Sequence, residues 1–245
     1  MPTSLNTWQM LGLILISALF WMQYVQLKDR LQPEPRWRLL LAFALGAGAC
    51  GISVLGFMAL DRLGVPDIQF GKGRWTCFYC LVFVGPLEEG VKVLMAYLFI
   101  FRWREFDEPI DGFVYAAAIS LGFASVENFY NVPGLAWQFQ LGRTVALPIT
   151  HVLFSAIWGF GIGYARFRLP PSTRRTLWQI GSVGLAMLVH GFYDFLILAY
   201  QATLVASGLA LALWVLVIWR ARVLMKQHAA VRAIPAIEER PPQEP

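Results

Sequence analysis

The chain has 245 residues, of which 58% are hydrophobic and only 14% charged, with a mean hydropathy of +0.56. An ordinary soluble domain carries about 25% charged residues, so this composition excludes one and points to an all-α, polytopic transmembrane helical bundle. The net charge of +5 is distributed over alternate loops rather than gathered into a patch, which excludes a nucleic-acid surface.

Seven apolar runs, seven or eight by length, are expected to cross the bilayer. Residues 1–7 hold no Lys or Arg. The first run, 8–26, therefore lacks the basic start of a cleaved signal peptide and reads as a retained span. Lys28, Arg30, Arg36 and Arg38 follow it, with Pro33 and Pro35 breaking the helix. The second span is 39–60, where Gly46, Gly48 and Gly51 offer close helix packing. A polar, Gly-rich loop, 61–75, leads to the third span, 76–101. At its start Cys77 and Cys80 form a CxxC, which in an apolar helix without a βαβ context reads as small packing residues. Three cysteines set no disulfide framework. A charged loop, 102–111, precedes the fourth span, 112–130, and the fifth is 145–164. A basic loop with Arg166, Arg168, Arg174 and Arg175 comes before the sixth, 177–198, and the seventh is 202–219. The organisation is one membrane-embedded domain, 1–225, followed by a cytoplasmic tail, 226–245, expected to be disordered.

Seven spans put the termini on opposite sides. Loops one, three and five and the tail hold 4, 2, 4 and 5 Lys or Arg, against 0, 3, 1 and 0 for the N-terminus and loops two, four and six. The positive-inside rule then sets the N-terminus outside and the C-terminus in the cytoplasm.

Within the third span lies Gly85-Pro86-Leu87-Glu88-Glu89-Gly90-Val91-Lys92. One charge at a helix centre costs roughly 2.5–3.5 kcal/mol on insertion scales, so such groups persist when they pair, face a wet cavity or do chemistry. Glu88 and Lys92, four residues apart, share a helical face and are expected to pair, whereas Glu89 points about 100° away. Pro86 is expected to kink the helix just before the acids. The fourth span adds Glu127 on the face of Phe123, the fifth His151 one turn from Ser155, and the sixth His190 with Asp194 four residues on. With the orientation above, all of them fall between the midplane and the outer face. Four spans with acids and imidazoles at overlapping depths read as one site open to water from outside. Asp194 would orient the His190 imidazole, while Lys92 neutralises one acid and leaves another to act as general base.

The motifs Glu88-Glu89-x-x-Lys92, Phe123-x-x-x-Glu127 and His190-x-x-x-Asp194, in that order on three spans, resemble those of the PrsW family of intramembrane proteases. This family is distantly similar to the CAAX-prenyl endopeptidase and bacteriocin-processing group. The stretch from Asp111 to Asn128 is also similar to the PrsW pattern, and the resemblance covers 85–194. It implies peptide-bond hydrolysis in the membrane, with Glu88 or Glu89 and Glu127 activating water and His190 and Asp194 binding the scissile carbonyl. Lys92, Phe123 and Asn128 would support these groups, and His151 joins the set from its depth. It also implies a membrane-protein substrate, a single-span anti-sigma factor cut on its extracytoplasmic side as the first step of regulated intramembrane proteolysis in envelope stress. The expected location is the plasma membrane, with the bilayer itself as a partner.

Glu127 and Asp194 stand where the CAAX-type enzymes have His and Asn, which leaves a carboxylate-rich set. A metal-free glutamate mechanism without cofactor is expected; the alternative is Zn²⁺ held by His151, His190 and a Glu with an open water position. Three other functions compete. A proton-coupled carrier would use Glu88, Glu127 and His190 as a relay, although the chain lacks the internal repeat common in carriers. A non-catalytic receptor would use the acids to bind cationic peptides. A CAAX-type or bacteriocin-maturation protease is the nearest in class.

Overall fold

A computed structural model describes residues 4–27, 29, 32–66, 68 and 73–233, with side chains described to Gln227. Its described elements are helical: α1 (Thr7–Gln26), α2 (Arg36–Arg62), α3 (Arg74–Tyr79), α4 (Gly85–Leu98), α5 (Asp111–Asn131), α6 (Trp137–Arg168), α7 (Thr173–Tyr200) and α8 (Thr203–Ala233). Six of these, all but α3 and α4, are long and apolar enough to cross a membrane. Each matches one of the expected apolar runs, usually with longer ends; α6 starts at Trp137 instead of 145. The remaining run is in pieces. A five-residue π-helical turn, Cys80–Val84, joins α3 to α4, and Pro86 sits in the first turn of α4, where its missing N–H costs least. Instead of an interruption at Pro86, the helical winding changes just ahead of the acids, a feature frequent at functional sites.

α5 and α6 form the centre of the bundle and pack against each other. The small residues of α5 explain this: Gly112, Ala116, Ala117, Ala118, Ser120 and Gly122 are buried and let neighbouring backbones approach. α2 lies against α5, α1 against both central helices, α7 against α6 and α4, and α8 outside α6 and α7. Of the three glycines expected to pack α2, Gly46 does so, against the Ile119 carbonyl, while Gly48 and Gly51 face open space. Cys50, Cys77 and Cys80 are free thiols. The seventh run also differs from expectation at its end: α8 continues through Ala233, so residues 226–233, expected in a disordered tail, are helical. Residues 234–245 lie outside the described residues.

Two glycines bring α4 to α7. A Cβ on Gly85 would lie 2.1 Å from the Met187 carbonyl oxygen, and one on Gly191 would lie 2.3 Å from that of Cys80, inside the π-helical turn. This contact sets the acids of α4 beside His190.

Candidate active site

Every charged or imidazole residue singled out within the spans comes together between α4, α5, α6 and α7. Lys92 and Glu89 are fully buried and form an ion pair, Nζ to Oε1 at 2.7 Å. The expected partner was Glu88. Residues three apart on a helix are neighbours as well as those four apart, and Lys92 takes the acid that faces the protein interior. Glu89 is saturated there. Its Oε1 also accepts from His190 Nδ1 at 3.0 Å, and its Oε2 accepts from Ser155 Oγ at 2.7 Å and Trp158 Nε1 at 2.9 Å. Ser155, expected beside His151, instead serves Glu89.

Lys92 Nζ further donates to His151 Nδ1 at 2.9 Å and lies 4.2 Å from the centre of the Phe123 ring, a cation–π contact in a dry setting. The other nitrogen of His151, Nε2, is 2.8 Å from Glu127 Oε2. Arg143 braces Glu127 from the far side, Nη2 to Oε1 at 2.8 Å. His190 Nε2 lies 3.8 Å from Glu88 Oε2 and 3.5 Å from Asp194 Oδ2, so the expected His190–Asp194 proximity is present at ion-pair distance. The two imidazole rings stand edge to face, 5.1 Å apart, and Phe154 stacks on His190.

A cavity of about 610 Å³ opens onto this cluster, lined by Glu88, Glu127, His151, His190, Tyr193 and Asp194 at its floor. Leu135, Gln138 and Thr203, next to the α5–α6 and α7–α8 connections, lie at its outer part. Glu89, Lys92 and Phe123 lie behind the floor and do not line it. Asn128 is buried one turn before Val132, which packs on Met10 and Ile14 of α1, and does not line the cavity either.

Glu88, His151 and His190 each offer a ligand atom within 4.8 Å of the others. Glu88 Oε2 is buried and accepts no hydrogen bond, while Glu127 Oε2, also buried, has His151 Nε2 within reach. An imidazole pair with one carboxylate and an open side is a donor set that suits a zinc-class divalent ion. Glu89 on His190 Nδ1 is the carboxylate that commonly orients a ligating histidine. The residues present therefore fit such an ion.

Sequence reasoning missed Arg143, Trp158 and Tyr193. Arg143 was counted as a loop cation, yet it is a cation in reach of an intramembrane acid that had no partner. Trp158 carries an N–H that needs an acceptor in an apolar helix, one turn from Ser155.

A family model described as "PrsW family intramembrane metalloprotease" matches residues 34–221. Curated relatives named Protease PrsW include one from Geobacillus kaustophilus, 33% identical over 89% of this chain and 92% of that protein. One from Bacillus subtilis is 32% identical over 73% of this chain and 78% of that protein, and one from Clostridioides difficile is 29% identical over 85% and 86%. No solved structure matches the chain significantly.

Proposed function

Because the chain belongs to the PrsW family of intramembrane proteases, its reaction is hydrolysis of a peptide bond of a membrane protein, and we propose that the cavity above Glu88, Glu127, His151, His190 and Asp194 is where the bond is cut. The observation that carries this is two buried carboxylate oxygens, Glu88 Oε2 without a hydrogen bond and Glu127 Oε2 against His151 Nε2, set beside the His190 imidazole at the floor of the cavity. Buried acceptors of this kind are costly unless a ligand or a reacting group completes them.

Glu88, His151 and His190 would hold a divalent metal ion of the zinc class. When bound, such an ion supplies Lewis acidity and a water that ionises near neutral pH. Glu127 lies outside that donor set, is held by Arg143, and serves as the general base that takes a proton from water and returns it to the leaving amine. Asp194, beside His190 at the floor, orients the substrate backbone. Glu89 and Lys92 hold His190 and His151 in place rather than touching substrate.

One observation favours a second, metal-free reading. An ammonium at Lys92 that donates to His151 Nδ1 keeps the ring proton on Nε2, where it faces Glu127. In that reading Glu88 or Glu127 activates the water and His190 donates to the developing oxyanion.

Residues 74–98 would form a seventh membrane-embedded segment, since their helix is interrupted only by the π-helical turn. The charge bias of the loops supports an N-terminus outside and the C-terminus in the cytoplasm of a plasma-membrane protein. The cavity's outer part adjoins connections that this orientation assigns to the outer face, so cleavage falls in the extracytoplasmic half. A single-span protein of the anti-sigma type is the substrate class that such a site suits.

The test uses purified protein in nanodiscs with single-span substrates, as wild type, Glu88→Gln and Glu127→Gln, each with and without a zinc chelator. Loss of cleavage in both variants and with chelator, restored by Zn²⁺, is the expected outcome. Cleavage that survives the chelator but not the substitutions supports the metal-free reading. Cleavage by either variant at the wild-type rate would overturn the site.

A further inference from the structure

A second acidic cluster lies at the opposite end of the bundle from the cavity mouth. Asp29 and Glu34 belong to the connection between α1 and α2, and Asp111 is the first residue of α5. All three are buried, at 2%, 7% and 1% exposure, and each presents a carboxylate oxygen within 4.8 Å of the others. Among the described residues no Lys or Arg pairs with any of them; Arg38, at the start of α2, bonds Glu105 instead, Nε to Oε1 at 2.9 Å. Burial pushes the carboxyls of Asp29 and Glu34 up to about 7, and for Asp29 repulsion from Glu108 adds to it. Three acids packed this closely are unfavourable unless something positive sits among them.

The surroundings hold the carboxylates in place. Asp111 Oδ2 accepts the backbone N–H groups of Asp107 at 2.8 Å and Glu108 at 2.6 Å. Glu34 Oε2 accepts the Tyr115 hydroxyl. Asp29 is bonded on one oxygen by the Gln32 backbone, while its Oδ2 is buried and accepts nothing. That orphan oxygen, on a side chain almost wholly withdrawn from water, is the observation that points to a missing partner. Glu34 and Asp111 also lie within hydrogen-bond reach of each other, so the competing occupant is a shared proton.

We propose that Asp29, Glu34 and Asp111 form a binding site for a hard divalent cation, Mg²⁺ or Ca²⁺, that ties the α1–α2 connection to the start of α5, separate from the cleavage site. The donors are all oxygens, the set that suits these ions and disfavours zinc or copper. By the charge bias of the loops this end faces the cytoplasm, where Mg²⁺ is the abundant candidate.

The experiment is a Tb³⁺ titration of the full chain in detergent micelles, with Tyr115 and Trp103, whose rings are 5.3 Å apart, as sensitisers beside the site. Expected is a saturable emission that Ca²⁺ or Mg²⁺ displaces, unchanged in Glu88→Gln. In Asp29→Asn the apparent affinity should fall by about 10-fold or more, since carboxylate count tunes such sites. Mg²⁺ or Ca²⁺ should also raise the melting temperature of wild type and not that of Asp29→Asn. If Asp29→Asn does not fold, Glu34→Gln replaces it in both measurements. Absence of saturable emission, or emission insensitive to these substitutions, would overturn the proposal and leave the shared proton as the occupant; emission lost in Glu88→Gln would overturn it in favour of the cleavage site.

Discussion

Lys92 pairs with Glu89, three residues before it, and leaves Glu88, four residues before it, without a cation of its own on the helix. The two adjacent acids are thereby separated. Glu89 has its oxygens occupied by four donors, whereas Glu88 Oε2 lies buried and unbonded beside the cavity. One acid is built into the scaffold and the other is kept available.

Lys92→Met is accordingly expected to destabilise the protein by about 3–5 kcal/mol, because it leaves a buried carboxylate without its cation. Glu89→Gln should cost a similar amount. The double substitution should cost less than the sum of the two, with a coupling of about 0.5–3 kcal/mol between these contacting residues. Unfolding curves in mixed micelles measure all three. Strict additivity would mean that the pair is not formed.

Glu88→Gln should behave oppositely. It removes a charge that no hydrogen bond compensates at Oε2, so thermal stability should hold or rise while cleavage is lost. A melting temperature that falls as far as that of Glu89→Gln would show Glu88 to be structural too.

Arg143 is about one-third exposed and holds Glu127 at 2.8 Å. Exposed pairs contribute about 0–1 kcal/mol, so Arg143→Gln should leave stability nearly unchanged. Turnover should nevertheless fall by about 10-fold or more, because a general base that is no longer held drifts from the geometry its proton transfer needs. The comparison of kcat with melting temperature separates the two effects, and Arg143→Lys should restore part of the rate.

The contact of α7 with the π-helical turn rests on Gly191. Gly191→Val would set a side chain against the Cys80 carbonyl. It is expected to cost about 1–3 kcal/mol by overpacking and to abolish cleavage by moving His190 away from Glu88 and Glu89. Gly184→Val on the same helix, where nothing lies within 4 Å, is the control and should change neither stability nor activity. Equal effects from both would place the cause in helix propensity rather than in the contact.

The class of the protein and the residues of its site are legible along the chain. Apolar run length and composition sufficed for six helices that fit a bilayer, because spanning one demands a length of uniformly apolar helix that no other purpose requires. The cost of charge in that setting singled out Glu88, Glu127, His151, His190 and Asp194, all of which line one cavity. Motif order was enough to reach the family. Periodicity along one helix stopped short of the partners. It paired Lys92 with Glu88, since i and i+4 share a face, but i and i+3 do so nearly as well, and the choice depends on Ser155, Trp158 and His190 arriving from α6 and α7 to surround Glu89. Nor did a linear reading foresee the π-helical turn at Cys80–Val84, which depends on Gly191 of α7 admitting that backbone. Nothing in the spacing of Asp29, Glu34 and Asp111 along the chain links them. Only the packing of two distant connections withdrew them from water and set them within 4.8 Å of one another. Helix length and burial preference are properties of a local stretch of chain, whereas the partner of a buried charge is decided by whichever donors the other helices bring within about 3 Å of it.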